Sequence, residues 1–150
     1  MKLVASQFSG INKEGDFNWM VNQEKYQNSF FIFNDNYEYF KTSRIGLGNA
    51  VMRKYNKYSN LDFPRSAGII TGSIIYKGFQ SLNNYSKSWI DVSFNDLEIL
   101  LSMHDYDYVF FSSNNEGLLA TSIFSIGMDV RMYITNLIYS LKNFEKIDEN

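Results

Sequence analysis

The segment Ser-Phe-Phe-Ile-Phe-Asn-Asp-Asn, residues 29–36, changes abruptly from four consecutive apolar residues to three polar ones. A short apolar run that stops at turn-forming residues is typical of a buried strand. Two similar runs follow, and each also ends in Ser, Thr or Gly. We therefore predict core strands over residues 29–34, 67–72 and 108–112, each ending in a polar loop.

Two helices are predicted around these strands. Ser93 followed by Asp96 is a helix-start pattern, and apolar residues then recur on one face, so we expect a helix over residues 94–104. Apolar residues at intervals of three and four predict a last helix over residues 130–144. Strands that alternate with helices indicate an α/β domain with a mixed sheet flanked by helices.

Length and composition limit the class of protein. We expect one domain over residues 1–150, in which residues 1–28 are an N-terminal extension or edge strand and residues 145–150 are a frayed tail. No cysteine is present, which excludes disulfides, thiolate metal sites and a cysteine nucleophile. His104 is the single histidine and is read as a core residue. We expect neither a metal nor a cofactor.

Two observations bear on location. The first ten residues lack an apolar stretch of signal-peptide length, and no uncharged apolar run approaches the roughly 18 residues that a transmembrane helix needs. We therefore expect a cytoplasmic protein without a membrane partner.

Positive charge is concentrated in one part of the chain. The net charge is −2, which argues against general nucleic-acid binding. Residues 41–65 nevertheless contain six Lys or Arg side chains and one acid, Asp62. This window is either a solvated basic loop or a local anion site.

The loop at residues 46–50 is the first candidate binding element. Gly46 and Gly48 precede residues with helical spacing, and a glycine turn at a helix start presents backbone N–H groups to a phosphate. Arg44 and Arg53 flank the loop, which includes Asn49 and Ala50. The alternative is an ordinary tight turn.

Polar residues at the strand ends are the second candidate element. They are Asn34, Asp35 and Asn36 after the first core strand, Thr71 and Gly72 after the second, and Ser112 and Ser113 after the third. Such side chains either close turns and cap helices or face a shared cleft, where they bind a base or ribose edge.

The order and spacing of several segments resemble the macro-domain-like, ADP-ribose-binding proteins, and particularly small phage-associated members of that group. These segments are residues 31–36, 46–50, 65–72 and 108–113, then Gly117 and residues 119–124. The resemblance covers residues 30–141 and implies a three-layer α/β/α sandwich with the ligand in a crest cleft. It also implies that Asp35 and Asn36 lie near the adenine or distal ribose. The first diphosphate loop would hold Gly46, Gly48, Asn49 and Ala50, and the second Gly117, Thr121 and Ser122.

Three functions remain open at this point. The first is binding of an ADP-ribose-type nucleotide with or without hydrolysis of an ADP-ribosyl bond, for which Asp35, Asn49 and Glu116 are the residues that could activate water. The second is sequestration of an NAD-derived or cyclic nucleotide signal by a phage anti-defence protein. Sequestration predicts a homo-oligomer and aromatic contacts from residues such as Phe124. The third is a protein-interaction domain whose basic window meets an acidic partner.

Overall fold

The computed structural model describes residues 1–121 and 124–143. The strands in this part of the chain are β1 (Lys2–Ser6), β2 (Ser29–Asn36), β3 (Ser66–Ser73), β4 (Lys77–Gly78) and β5 (Tyr108–Ser112). The α-helices are α1 (Phe17–Met20), α2 (Asn84–Met103) and α3 (Met128–Ser140). Short 3₁₀ helices lie at Glu24–Tyr26, Gly48–Tyr55, Lys57–Ser59 and Leu141–Asn143. The three predicted core strands are confirmed.

The described strands form one mixed sheet. Their order is β1-β5-β2-β3-β4, and the first four are parallel, while β4 runs antiparallel beside β3. β1 is therefore an edge strand that pairs with β5, the last strand described. A mixed sheet with helices confirms the α/β class predicted from the sequence.

Both faces of β2 are buried, which explains its unbroken apolar run. Successive side chains of a strand point to opposite faces of the sheet. Phe30 and Ile32 lie in a core with apolar residues of α2 and α3, whereas Phe31 and Phe33 lie in a second core. The second core contains apolar residues of α1 and of the 3₁₀ helix Gly48–Tyr55.

Helix α2 begins ten residues before the predicted start, so the assignment of Ser93 as its cap is wrong. Asn83 is the cap: its side chain accepts from the Ser86 amide, and the Ser86 hydroxyl accepts from the Asn83 amide, each at 3.0 Å. Ser93 is buried inside the helix. Its hydroxyl donates to the Ile90 carbonyl and accepts from the Ile70 amide of β3, both at 2.9 Å.

Replacing the true cap gives a direct test of this start. Asn83→Ala removes the acceptor for the Ser86 amide, and we expect the free energy of unfolding to fall by about 1 kcal/mol. The exposed neighbour Asn84 is the matched control, because Asn84→Ala leaves the cap intact. Urea unfolding measures both, and equal losses would contradict the assignment of Asn83.

The connections place a crevice between β5 and β2. The chain leaves β2 toward the face that carries the 3₁₀ helix Gly48–Tyr55, and it leaves β5 toward the opposite face, which carries α3. Loops that diverge from neighbouring parallel strands open a crevice at the carboxyl ends of those strands, where open α/β sheets bind ligands. In residues 1–121 and 124–143, no helix combines the length and apolar character needed to cross a membrane.

Candidate functional site

A cleft of about 650 Å³ lies in this crevice and is called here the large cleft. The loop after β1 contributes Phe8, Ile11, Asn12, Asp16 and Asn18; the loop after β2 contributes Gly46, Leu47, Gly48, Asn49 and Val51; β5 and the segment after it contribute Ser112, Ala120 and Thr121. Small-molecule sites in proteins commonly measure about 300–1,000 Å³. The large cleft therefore has the size of a ligand site.

A smaller space of about 100 Å³, called here the polar pocket, adjoins the large cleft and shares Leu47 with it. Its other lining residues are Asn34, Asp35, Asn36, Ala50, Arg53, Thr71, Gly72, Ser73, Lys77, Gly78 and Phe124. Most of these belong to the ends of β2 and β3. The two spaces lie on either side of the loop at residues 46–50.

That loop adopts a conformation that favours glycine at one position. Gly48 has φ +59°, in the left-handed region, and a Cβ built on it meets no atom within 4 Å. Gly48 opens a 3₁₀ helix, Gly48–Tyr55, in the segment whose spacing indicated a helix. The first N–H groups of a helix have no acceptor within the helix, so those at this end can bind an external anion.

A buried ion pair lies beneath the loop. Arg53 donates from Nε at 2.8 Å, and also from Nη2, to Oδ1 of Asp35, and the Asn36 amide donates to the same oxygen at 2.8 Å. The Asp35 side chain is fully buried and that of Arg53 nearly so. Burial raises the pKa of Asp35 above its ordinary value, although the bonds from Arg53 and Asn36 oppose that rise.

The second oxygen of Asp35, Oδ2, is buried and has no hydrogen-bond partner among the described residues. Gly68 of β3 makes room for this carboxyl group, because a Cβ at residue 68 would lie 2.5 Å from both Cβ and Oδ2 of Asp35. A polar atom buried without a partner costs free energy. The hydrogen bonds from Arg53 thus supply most of the free energy that offsets the burial of the Asp35 carboxyl group.

Arg53 also positions the loop. Its Nη1 donates to the Arg44 carbonyl at 3.2 Å, and a Cβ on Gly46 would approach that same nitrogen to 2.8 Å. The guanidinium thus ties the end of β2 to the start of the loop. The loop is held by buried contacts on the side away from the large cleft.

Residues at the end of β2 are also bonded within the protein. The Asn34 side chain donates from Nδ2 to the Ala120 carbonyl at 2.9 Å, which joins β2 to the segment after β5. Asn36 accepts at Oδ1 from the Tyr39 amide at 3.0 Å and so closes a turn. A register shift between Asp35 and Asn36 changes the pairing with β3 at this point, and such irregularities often occur beside binding sites.

The segment after β5 folds back before it reaches the large cleft. Residues 113–119 form a hairpin in which Ser113 bridges Leu119. The Gly117 carbonyl at the tip accepts from the Tyr139 hydroxyl of α3 at 3.0 Å. Ser113, Glu116 and Gly117 line neither the large cleft nor the polar pocket, whereas Thr121 lines the former. Ser122 lies outside the described residues.

The basic window does not gather at either space. Lys57 pairs with Asp96 at 3.1 Å, and Arg65 donates to the Ser29 carbonyl at the start of β2, the opposite end from the loops. Arg44 is exposed and stacks over the Tyr39 ring. The cations that do line the polar pocket are Arg53, already paired with Asp35, and Lys77, outside the window.

The three residues considered for water activation occupy different environments. Asp35 is sealed beneath the loop, and Glu116 sits on the hairpin away from both spaces. Asn49 lines the large cleft, but an uncharged amide is a poor general base. Among the described residues, no group of three His, Asp or Glu side chains is placed to hold a metal ion.

Sequence reasoning missed the loop after β1. Phe8, Ile11 and Asn12 line the large cleft because β1 lies beside β5 in parallel, which brings the loop that follows it to the same edge. The apolar run of residues 3–5 is a weak signal for a strand, but the partner of that strand lies about a hundred residues away. No protein-family model, curated protein or solved structure matches this chain.

Proposed function

We propose that this protein binds an ADP-ribose-type nucleotide in the large cleft and the polar pocket, within an α/β/α arrangement resembling a macro domain. One observation carries the proposal: the glycine loop lies between an open cleft and a polar pocket, at the carboxyl ends of parallel strands. An ADP-ribose-type nucleotide has its groups in a matching order, because its diphosphate lies between two organic ends.

The central loop suits the diphosphate. Backbone N–H groups at a helix start bind phosphate oxygens, and the positive φ of Gly48 together with open space on its Cβ side lets a ligand approach the backbone. Asn49 and Thr121 add side-chain donors on the side of the large cleft. Specificity for an anion thus comes from backbone geometry, with little contribution from free cations.

The three residues weighed for catalysis offer no suitable base, and the Asp16 carboxylate of the large cleft already accepts from the Asn12 amide, which supports binding without turnover. Asp35 is bonded to Arg53, Asn49 is an amide, and Glu116 lines neither space. Hydrolysis of an ADP-ribosyl bond needs a group that takes a proton from water beside the ligand. We therefore propose sequestration of the nucleotide, with release of the ligand unchanged.

Calorimetric titration with ADP-ribose and with NAD-derived cyclic nucleotides tests this function. We expect saturable heat with at least one of these ligands and, after denaturation of the complex, recovery of the intact ligand by chromatography. Recovery of a cleaved product would contradict sequestration and show that the protein hydrolyses the ligand. No heat with any of them would overturn nucleotide binding and favour a protein-interaction domain.

A further inference from the structure

Three large apolar side chains stand exposed around one part of the large cleft. Phe8 is 54%, Ile11 74% and Leu47 83% accessible to solvent, and all three line the cleft. Apolar side chains in water gain stability when a ligand covers them, at roughly 25 cal/mol per Å². Their grouping in one ligand-sized space indicates an apolar subsite.

The loop that carries Phe8 and Ile11 is held in place. The Asn12 amide donates to Oδ2 of Asp16 at 2.8 Å, and the Asp16 amide donates to the Lys13 carbonyl at 3.0 Å. The Gly15 amide contacts Sδ of the buried Met20 at 3.3 Å. These bonds hold residues 12–20, directly after Ile11, and so lower the entropic cost of ordering this part of the loop on binding.

The polar pocket on the other side of the loop carries hydroxyl, amide and charged groups, which the apolar subsite lacks. Asn36, Thr71, Ser73 and Lys77 line it beside the apolar Leu47, Ala50 and Phe124, and its volume is about 100 Å³. Hydroxyl and amide groups complement the hydroxyls of a sugar. The pocket therefore suits the ribose better than the apolar side chains Phe8, Ile11 and Leu47 do.

We infer that the nucleotide binds in one direction: its base covers Phe8, Ile11 and Leu47 in the large cleft, and its distal ribose enters the polar pocket. This inference rests on the proposed function and deepens it. The base therefore lies on the β1 side of the glycine loop, away from Asp35. Phe8 and Ile11 are then residues that select a ligand with an aromatic base.

Affinities of the intact protein for ADP-ribose and for AMP, measured by calorimetry, test the direction. AMP has the base and one phosphate but lacks the distal ribose. We expect Phe8→Ala and Ile11→Ala each to weaken both ligands about tenfold, the effect of losing one base contact. The Thr71 hydroxyl donates to the Asp35 carbonyl at 3.2 Å and can still accept from a ribose hydroxyl in the polar pocket. We expect Thr71→Val to weaken ADP-ribose about fivefold and leave AMP unchanged.

Ile75 provides the matched control for Ile11. It is 73% exposed, nearly the same as Ile11, but lies at the tip of the β3–β4 hairpin and lines neither space. We expect Ile75→Ala to bind both ligands like the wild type. Thermal unfolding checks that each variant is folded, which the exposure of the substituted side chains favours.

The outcomes distinguish a wrong binding direction from a wrong proposed function. If the wild type binds ADP-ribose but not AMP, or if Ile11→Ala and Ile75→Ala bind alike, the base lies elsewhere and the inferred direction is wrong. If Thr71→Val weakens AMP as much as ADP-ribose, the polar pocket holds the base or its phosphate, and the direction is again wrong. If the wild type binds none of ADP-ribose, AMP and the NAD-derived cyclic nucleotides, the proposed function itself fails.

Discussion

Arg53→Met should lower the free energy of unfolding by about 3–5 kcal/mol, which is the usual cost of removing one partner from a buried ion pair. The variant leaves the Asp35 carboxylate in the interior without the two guanidinium bonds to Oδ1, while Oδ2 already lacks a partner among the described residues. It also removes the bond to the Arg44 carbonyl that holds the glycine loop. We expect Arg53→Met also to bind the nucleotide more weakly, because the glycine loop loses this support.

The loss in Arg53→Met should depend on pH in a defined direction. Without the guanidinium, burial raises the pKa of Asp35 further above its ordinary 3.8. Between that value and the raised one, the folded variant takes up a proton that the unfolded chain does not. The free energy of unfolding of the variant, relative to the wild type, therefore recovers as the pH falls through this interval and is lowest above it.

Urea unfolding at several pH values measures both effects. Arg44→Met is the control, because it removes an exposed arginine from the same loop, where a side-chain interaction contributes at most about 1 kcal/mol. The double variant Asp35→Leu/Arg53→Met should be more stable than Arg53→Met alone, since the unpaired carboxyl group is gone. A single variant as stable as Arg44→Met, or a loss that grows in acid, would refute the role of the ion pair.

Gly48→Val should weaken nucleotide binding about a hundredfold, because the new side chain occupies the space through which a phosphate reaches the backbone N–H groups, and two bonds to a charged ligand are lost. Stability should fall by only about 1–2 kcal/mol, from the left-handed φ of this residue. The added atoms meet nothing in the unliganded protein close to Cβ.

Gly117→Val is the control that distinguishes the effect of backbone strain from obstruction of the binding site. Gly117 also has a positive φ, +78°, but it lies on the hairpin against Tyr139 and lines neither space. Calorimetry at a temperature where both variants are folded should show near-normal affinity for Gly117→Val and little binding for Gly48→Val. Normal affinity of Gly48→Val would place the phosphate elsewhere.

The core strands were predictable because their information is local. Each is a run of apolar residues long enough for one strand and ends in residues that favour turns, as in residues 29–36. Since parallel strands share one carboxyl edge, it also followed that the loops after β2 and β5 would meet. Gly46, Asn49, Thr71 and Ser112 do line the two adjoining spaces.

What could not be predicted depends on distant partners. Ser93 and Asp96 match a capping pattern, but Ser93 instead bonds the Ile70 amide of β3, a contact that no local pattern records. The polar residues of the first half of α2 obscured its periodicity in the same way. Asp35 was expected near the ligand, but it pairs with Arg53, 18 residues later, and supports the loop from the interior.

The parallel pairing of the first strand with the last one described bears on how the chain folds during synthesis. β1 leaves the ribosome well before its partner β5, which begins only at Tyr108. Until then β1 has no neighbour, and the edge of β2 that will receive β5 is open to other chains. Contacts so distant in sequence slow folding. A nascent chain that stalls before residue 108 is thus the form most exposed to aggregation and to proteolysis.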